Sequence, residues 1–314
     1  MSGVTRIPRS VRVAARIAGG AAIVAGTALV VGVGPFLRGL AAVSPTAILL
    51  AVALTAVATA AAAWRWQTVA GRLGLPLHGG TAVAAYYRSQ FLNTVLPGGI
   101  LGDVDRAYGH GRRNARIGQA TRAVAVERIA GQVVQVLATL ALLVPLGLLS
   151  PRSPAVWAAG VGAAAAVVVV GAAAVVPCGR RALRREFALL RPLFSRPRTV
   201  LVVVGASLVV VAAHAATFVV AALAVGVTAD PDEIAVVALI VLAASAIPLS
   251  IGGWGPREAV AGSAFAVIGL GAGTGVAVST TFGVLAMIAV APGAVVLLAG
   301  IPRVLTARTQ RRSA

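Results

Sequence analysis

Apolar runs about as long as a bilayer's hydrocarbon core is thick recur along this chain, near residues 14–34, 46–64, 127–149, 155–176, 200–226 and 276–299. A helix of roughly 20 apolar residues spans that core. In lipid, only helices and closed barrels satisfy their own backbone hydrogen bonds. The runs lack the polar–apolar alternation of roughly ten-residue barrel strands. The expected fold is therefore all-α, a polytopic membrane protein with about six full crossings. Composition agrees: 59% of residues are hydrophobic, 11% are charged, and the mean hydropathy is +0.95. Soluble domains carry about 25% charge. No polar stretch is long enough to fold as a separate soluble domain.

The net charge of +19 raises the question of nucleic acid. All 27 basic residues are arginine, and most lie in short segments between apolar runs. These are the N-terminal arm, the 65–72 loop, the 106–122 segment, the 180–198 loop and the tail from Arg303. Arginine placed this way marks cytoplasmic loops and suits anionic head groups of the inner leaflet. Aromatics make up only 4%, too few for a base-stacking platform. Nucleic acid is excluded as a partner. The loop with Asp230, Asp232 and Glu233 is acidic, as an outer loop can be. The expected location is the cytoplasmic membrane, with both termini on the cytoplasmic side. Arg6, Arg9, Arg12 and Arg16 precede the first run, which ends in Gly34-Pro35-Phe36 without a small-x-small cleavage site. An uncleaved first helix is expected.

Two stretches look like one device used twice. Residues 97–106 (PGGILGDVDR) and 248–257 (PLSIGGWGPR) align without a gap, with Pro, Ile, Gly and Arg at shared places. Pro and Gly break helices, and unwound backbone survives at membrane depth only under cover of protein or a watery cavity. Pro97, Gly98 and Gly102, and Pro248, Gly252, Gly253 and Gly255, are the candidate broken-helix positions. The segments holding them are 81–96 and 234–271. If 81–101 crossed fully, Arg106, Arg112, Arg113, Arg116 and Arg122 would lie outside. A re-entrant hairpin keeps them inside. The second segment fits a hairpin or two crossings with equal parity. Two re-entrant hairpins and three crossings per half make an inverted repeat, residues 1–150 and 151–314, the logic of many transporters.

Charges near these breaks are the candidate site. Arg257 and Glu258 lie between apolar segments, where ionisable residues are expensive. Adjacent on a helix, they point apart and call for other partners. Arg106, with Asp103 and Asp105, is the matching cluster in the first half. Two such arginines suit a phosphate or another anionic head group, which guanidinium holds bidentately. Asn93 is placed to hydrogen-bond the broken backbone, and Arg88 is either an interfacial anchor beside Tyr86 and Tyr87 or part of the site. Glu127 and Arg128 open a long apolar helix, where Glu complements the N-terminal dipole; they are candidate supporting residues. His214, mid-span, reads as hydrogen-bonded packing or a proton relay. Cys178 is the single cysteine, so no internal disulfide forms. His78, His110 and His214 have no ligand spacing, so neither a metal nor another cofactor is expected.

At these residues the chain resembles the lysylphosphatidylglycerol synthase transmembrane-region, or flippase-like, family. Members carry an Asn followed by Pro-Gly-x-x-Gly-Gly-Asp-x-x-Arg. Asn93, Pro97, Gly98, Gly102, Asp103 and Arg106 match, and Leu101 replaces the first Gly of the pair. A Glu/Asp-Arg-x-x-Gly element matches Glu127, Arg128 and Gly131. A later Pro-x-Ser-Ile-Gly-Gly-x-Gly-x-Arg-Glu pattern matches Pro248, Ser250, Ile251, Gly252, Gly253, Gly255, Arg257 and Glu258. The resemblance implies a flippase-like membrane fold with re-entrant helices. It also implies movement of a modified phospholipid between leaflets in members that carry a separate lipid-making domain. Other members resemble partners of cell-envelope glycosyltransfer.

The leading expectation is a non-enzymatic lipid translocator for an anionic or phosphate-bearing lipid or lipid-linked precursor. Its partners are the membrane lipid and, as candidates, cell-envelope synthesis enzymes. The alternatives are a membrane glycosyl- or phosphotransferase using Asp103 or Glu258 as base, and a non-transporting scaffold for an envelope enzyme.

Overall fold

The computed structural model describes residues 25–96, 99–143, 188–191, 193, 195–244 and 255–299. The long helices Pro45–Arg72 and Pro197–Val225 start and stop on ordinary helix chemistry. Helix α1 (Gly34–Ala41) is short and amphipathic, with Leu37 and Leu40 exposed. Helix α2 (Pro45–Arg72) opens on Pro45, with the Ser44 hydroxyl accepting from the Ala47 N–H at 3.2 Å. It closes on Gly74, whose φ of 75° lets Leu75 N–H reach Ala70 O at 2.9 Å.

Helices α3 (Gly79–Val95) and α4 (Leu101–Arg113) follow, then α5 (Ile117–Leu143). Helix α6 (Pro197–Val225) again opens on Pro and closes on a left-handed glycine, Gly226. Helices α7 (Pro231–Ala244), α8 (Pro256–Val267) and α9 (Ala272–Ala289) follow; residues 25–31 are also helical, as are 292–299 beyond a turn ahead of Pro292. The order of lengths repeats. Helices α2 to α5 have 28, 17, 13 and 27 residues. Helices α6, α7 and α8 have 29, 14 and 12, and the stretch Ala272–Ala299 has 28.

Four of these are long and apolar enough to cross a membrane: Pro45–Arg72, Ile117–Leu142, Pro197–Val225 and Ala272–Ala299. They answer the expected runs 46–64, 127–149, 200–226 and 276–299. Most of 14–34 and all of 155–176 lie outside the described residues, as do Pro97, Gly98, Pro248, Gly252 and Gly253. Segment 81–96 lies in α3, which ends at Val95, and α4 begins at Leu101. At about 1.5 Å per residue these two helices are roughly 26 and 20 Å long, short of the roughly 30 Å core. Segment 234–271 likewise divides between α7 and α8.

Two expected boundaries move. The 65–72 segment is the last two turns of α2 rather than a loop, and α5 begins at Ile117 rather than near Glu127. Both errors have one cause: charges that looked like helix ends are neutralised by each other inside the bundle.

Helices α2 and α6 pack antiparallel through small residues. Ala47 and Ala51 of α2 share a buried cluster with Ala221 and Ala222 of α6, and Arg65 of α2 reaches Ser207 near the start of α6. Small side chains let membrane helices approach closely, while Leu49 and Leu201, each at least 70% exposed, face outward. A second cluster gathers Trp66, Val69, Ala107, Ala120, Val124 and Leu193 at the opposite end of α2. The molecule therefore has two distinguishable ends. Arg72, Arg116 and Arg122 stand at the second, with Arg196 and Arg198 at the start of α6. The first end carries α1, the C-terminus of α6 and the N-terminus of α9.

Candidate functional site

Helices α2 to α5 converge on a buried carboxylate. Glu127 lies mid-helix in α5 and is fully buried. Its Oε1 accepts from Arg65 Nε of α2 at 2.8 Å, from Arg65 Nη2, and from the Tyr86 hydroxyl of α3 at 3.1 Å. Its Oε2 accepts from Arg106 Nη2 of α4 at 2.6 Å. Arg65 Nη1 donates to Ser207 Oγ of α6 at 2.7 Å. A charge buried alone costs several kcal/mol, and only close pairing with further hydrogen bonds offsets it. Glu127 meets that condition on both oxygens. The expected interfacial pair at a helix end is thus replaced by an interior junction.

Asp103 forms the second node. It sits in the first turn of α4, and its carboxylate accepts from Ser89 Oγ at 3.3 Å and Asn93 Nδ2 at 3.0 Å, both on α3. It also accepts from Arg106 Nε at 3.0 Å and pairs with Arg128 Nη1 of α5 at 3.0 Å. Asn93 Oδ1 accepts from the Gly102 N–H at 2.7 Å, so Asn93 ties α3 to the start of α4. Gly102 is required there for space: a Cβ would overlap the Ser89 carbonyl.

Arg106 links the two nodes. Its guanidinium carbon lies 4.4 Å from the Tyr86 ring centre and 4.9 Å from that of Trp66, a pair of cation–π contacts. Its Nη1 is buried without a hydrogen-bond partner among the described residues. The cluster holds three cations (Arg65, Arg106, Arg128) and two carboxylates (Asp103, Glu127), leaving one positive charge. Arg88 stands apart, bridged to Asp105 at 2.5 Å, with both side chains about one-third exposed. His214 Nδ1 contacts Val210 O at 2.7 Å, a local bond within α6.

The second half builds a smaller junction. Glu258, in the first turn of α8, is fully buried; its Oε2 accepts from the Gly255 N–H at 2.6 Å. Arg257 Nη2 and Nε donate to Glu258 Oε1 at 2.6 and 3.0 Å. Sequence neighbours that were expected to point apart therefore pair, because at a helix start the Glu side chain folds back over its own N-terminus. Ser279 of α9 accepts from Arg257 Nε at 3.0 Å and donates to Glu258 Oε1 at 3.1 Å. The Arg257 guanidinium also lies 5.3 Å from the Phe282 ring centre. Gly255 has a φ of 113°, open to glycine and strained for other residues.

Sequence reasoning brought Arg106, Asp103, Asn93, Arg257 and Glu258 forward and undervalued Glu127. It missed Arg65, Trp66, Ser207 and Ser279. A signal for the first two was present: Arg65 and Trp66 continue the buried stripe of Ala58, Ala62 and Val69, so Arg65 falls on a core face.

Long apolar helices, small-residue packing and paired charges in the interior define a multi-pass helical membrane protein. More narrowly, the family model for the lysylphosphatidylglycerol synthase TM region matches residues 14–293, and the chain belongs to that family. No curated protein and no solved structure gives a significant match.

Proposed function

We propose that the chain is a lipid translocator for an anionic or phosphate-bearing lipid, with Arg106 and Arg257 meeting the head group. The observation that carries this reading is the buried Arg106 guanidinium. It is ionised, framed by two aromatic faces, and keeps its Nη1 amino group unmatched inside a cluster of net positive charge. A phosphate oxygen is the acceptor such a donor suits. Membership in a lipid-related membrane family supports the same direction.

In this reading α3–α4 and α7–α8 are re-entrant hairpins. The long–short–short–long order of the helices is the trace of an inverted repeat, and the arginine-rich end faces the cytoplasm. Asp103, Glu127 and Glu258 hold the arginines in place until the head group competes for them. An enzyme reading is less favoured: each of these carboxylates already accepts from at least one guanidinium and two other groups or atoms, which suits a counter-ion better than a free base.

The test is a sidedness assay in proteoliposomes with a head-group-labelled phosphatidylglycerol. Wild type should move the label between leaflets without producing a new lipid species, and folded Arg106→Gln should slow it by roughly ten-fold or more, the loss expected for one charge-assisted hydrogen bond. Formation of a new lipid would establish an enzyme instead. Equal rates in wild type, variant and empty vesicles would remove the translocator.

A further inference from the structure

The end of the molecule remote from the arginine clusters carries an arginine of its own. Arg38 lies on α1, just ahead of α2, and Arg72 closes α2, so the two are separated by roughly 40 Å of helix. Arg38 lines a cleft of about 500 Å³ with Thr274 of α9 and small apolar residues, among them Val225, Val227 and Ala277. It is the one charged residue in that lining. Among the described residues its guanidinium has neither a carboxylate nor a hydrogen-bond partner, although Asp230, Asp232 and Glu233 follow closely after Val227 in the chain.

The cleft is a built feature rather than a loose seam. Gly39, next to Arg38, is buried against α9: a Cβ there would stand 2.5 Å from Ala277 O and 2.8 Å from Thr280 Cβ. Thr281 Oγ1 donates to Gly39 O at 2.8 Å. Arg38 is therefore carried on a helix pinned to the bundle. The outward face of α1 presents Leu37 and Leu40, 60% and 51% exposed. A cation over a cleft of mixed polar and apolar lining, beside an exposed apolar strip, matches a ligand with an anionic head and hydrocarbon chains. A soluble anion would have no use for the strip.

We infer that this cleft binds the phosphate of a membrane phospholipid at the face opposite the arginine-rich loops. Arg38 supplies the charge, Thr274 a second donor, and Leu37 and Leu40 the bed for the acyl chains. The binding itself is independent of transport; its role as a receiving or loading station rests on the translocator reading above.

The experiment is native mass spectrometry of the full chain in detergent, titrated with phosphatidylglycerol or with diacylglycerol of the same chains. Arg38→Gln should weaken the tightest phosphatidylglycerol step roughly ten-fold and leave diacylglycerol unchanged. Ala42→Trp, which fills the cleft while keeping Arg38, should weaken the same step. Phosphatidylglycerol binding that survives Arg38→Gln overturns the inference. Loss in Arg38→Gln with full binding in Ala42→Trp also overturns it, because the lipid would then be annular. Displacement of the lipid by millimolar inorganic phosphate would make the site one for a soluble anion and overturn the lipid assignment. The same variants in the sidedness assay separate the two ideas. Wild type that binds through Arg38 but moves no lipid refutes translocation and leaves the cleft standing.

Discussion

Glu127 Oε2 accepts from Arg106 Nη2 at 2.6 Å, while the other oxygen of the same carboxylate is held by Arg65. One buried anion thus ties α2, α4 and α5 together, and the two cations depend on it unequally. Arg106 retains Asp103 if Glu127 is neutralised; Arg65 retains only Ser207 among its hydrogen-bond partners. Conversely, Glu127 keeps Arg106 and Tyr86 if Arg65 is lost.

That inequality orders two variants. Glu127→Gln strands a buried guanidinium and is expected to destabilise by about 3 to 5 kcal/mol, the range for breaking a buried ion pair. Arg65→Met leaves the carboxylate paired and should be milder, about 1 to 3 kcal/mol, the range for one lost partner of a buried polar group. Unfolding titrations in mixed micelles compare them. A reversed order would make Arg65 the hub, and equal losses would show that neither residue is.

Gly39 offers a test of the seam between α1 and α9. Gly39→Ala drives a methyl group toward the Ala277 carbonyl and Thr280 and should destabilise by about 1 to 3 kcal/mol, as overpacking does. Gly34→Ala, with nothing within 4 Å of the added carbon, is the control and should stay within about 0.5 kcal/mol of wild type. A thermal melt of both variants in detergent checks the contrast; a silent Gly39→Ala would mean that α1 is not pinned.

Much of this architecture was readable in advance because its determinants are local. Four apolar runs became helices of spanning length, with 46–64 inside Pro45–Arg72 and 200–226 close to Pro197–Val225. The site was only half legible. Arg65 and Glu127 are 62 residues apart, and nothing in either neighbourhood announces the other. Each alone looked like a charge at a helix end, since an unpaired charge does not belong in a membrane helix. The pairing that makes both tolerable is tertiary. Arg257 and Glu258 failed differently: helix-interior geometry sends neighbours apart, but at the first turn a Glu can turn back to the free N–H of Gly255 and meet its neighbour there.

Ser279 should matter more than a surface serine. Its hydroxyl sits between Arg257 Nε and Glu258 Oε1, so Ser279→Ala removes a donor from the carboxylate and an acceptor from the guanidinium together. The expected loss is about 1 to 2 kcal/mol. Ser263→Ala, whose hydroxyl bonds only its own helix on an exposed face, should cost under about 0.5 kcal/mol. Matching melting curves for the two variants would mean that the second junction holds without its bridge.

The shape of the Arg106 fork gives the sharpest prediction about function. Nε serves Asp103, Nη2 serves Glu127, and Nη1 has no hydrogen-bond partner among the described residues. A lysine keeps the charge but places it at one point, without the planar fork that reaches several acceptors at fixed angles. If only positive charge were needed, Arg106→Lys would transport nearly as well as wild type. If the fork itself presents the spare donor, Arg106→Lys should fall close to Arg106→Gln, roughly ten-fold or more below wild type, while remaining folded because Asp103 and Glu127 still have a cation nearby. Transport in proteoliposomes, normalised to folded protein by size-exclusion chromatography, reads the difference. Rates for Arg106→Lys near wild type would reduce Arg106 to a generic charge and move head-group recognition elsewhere in the bundle.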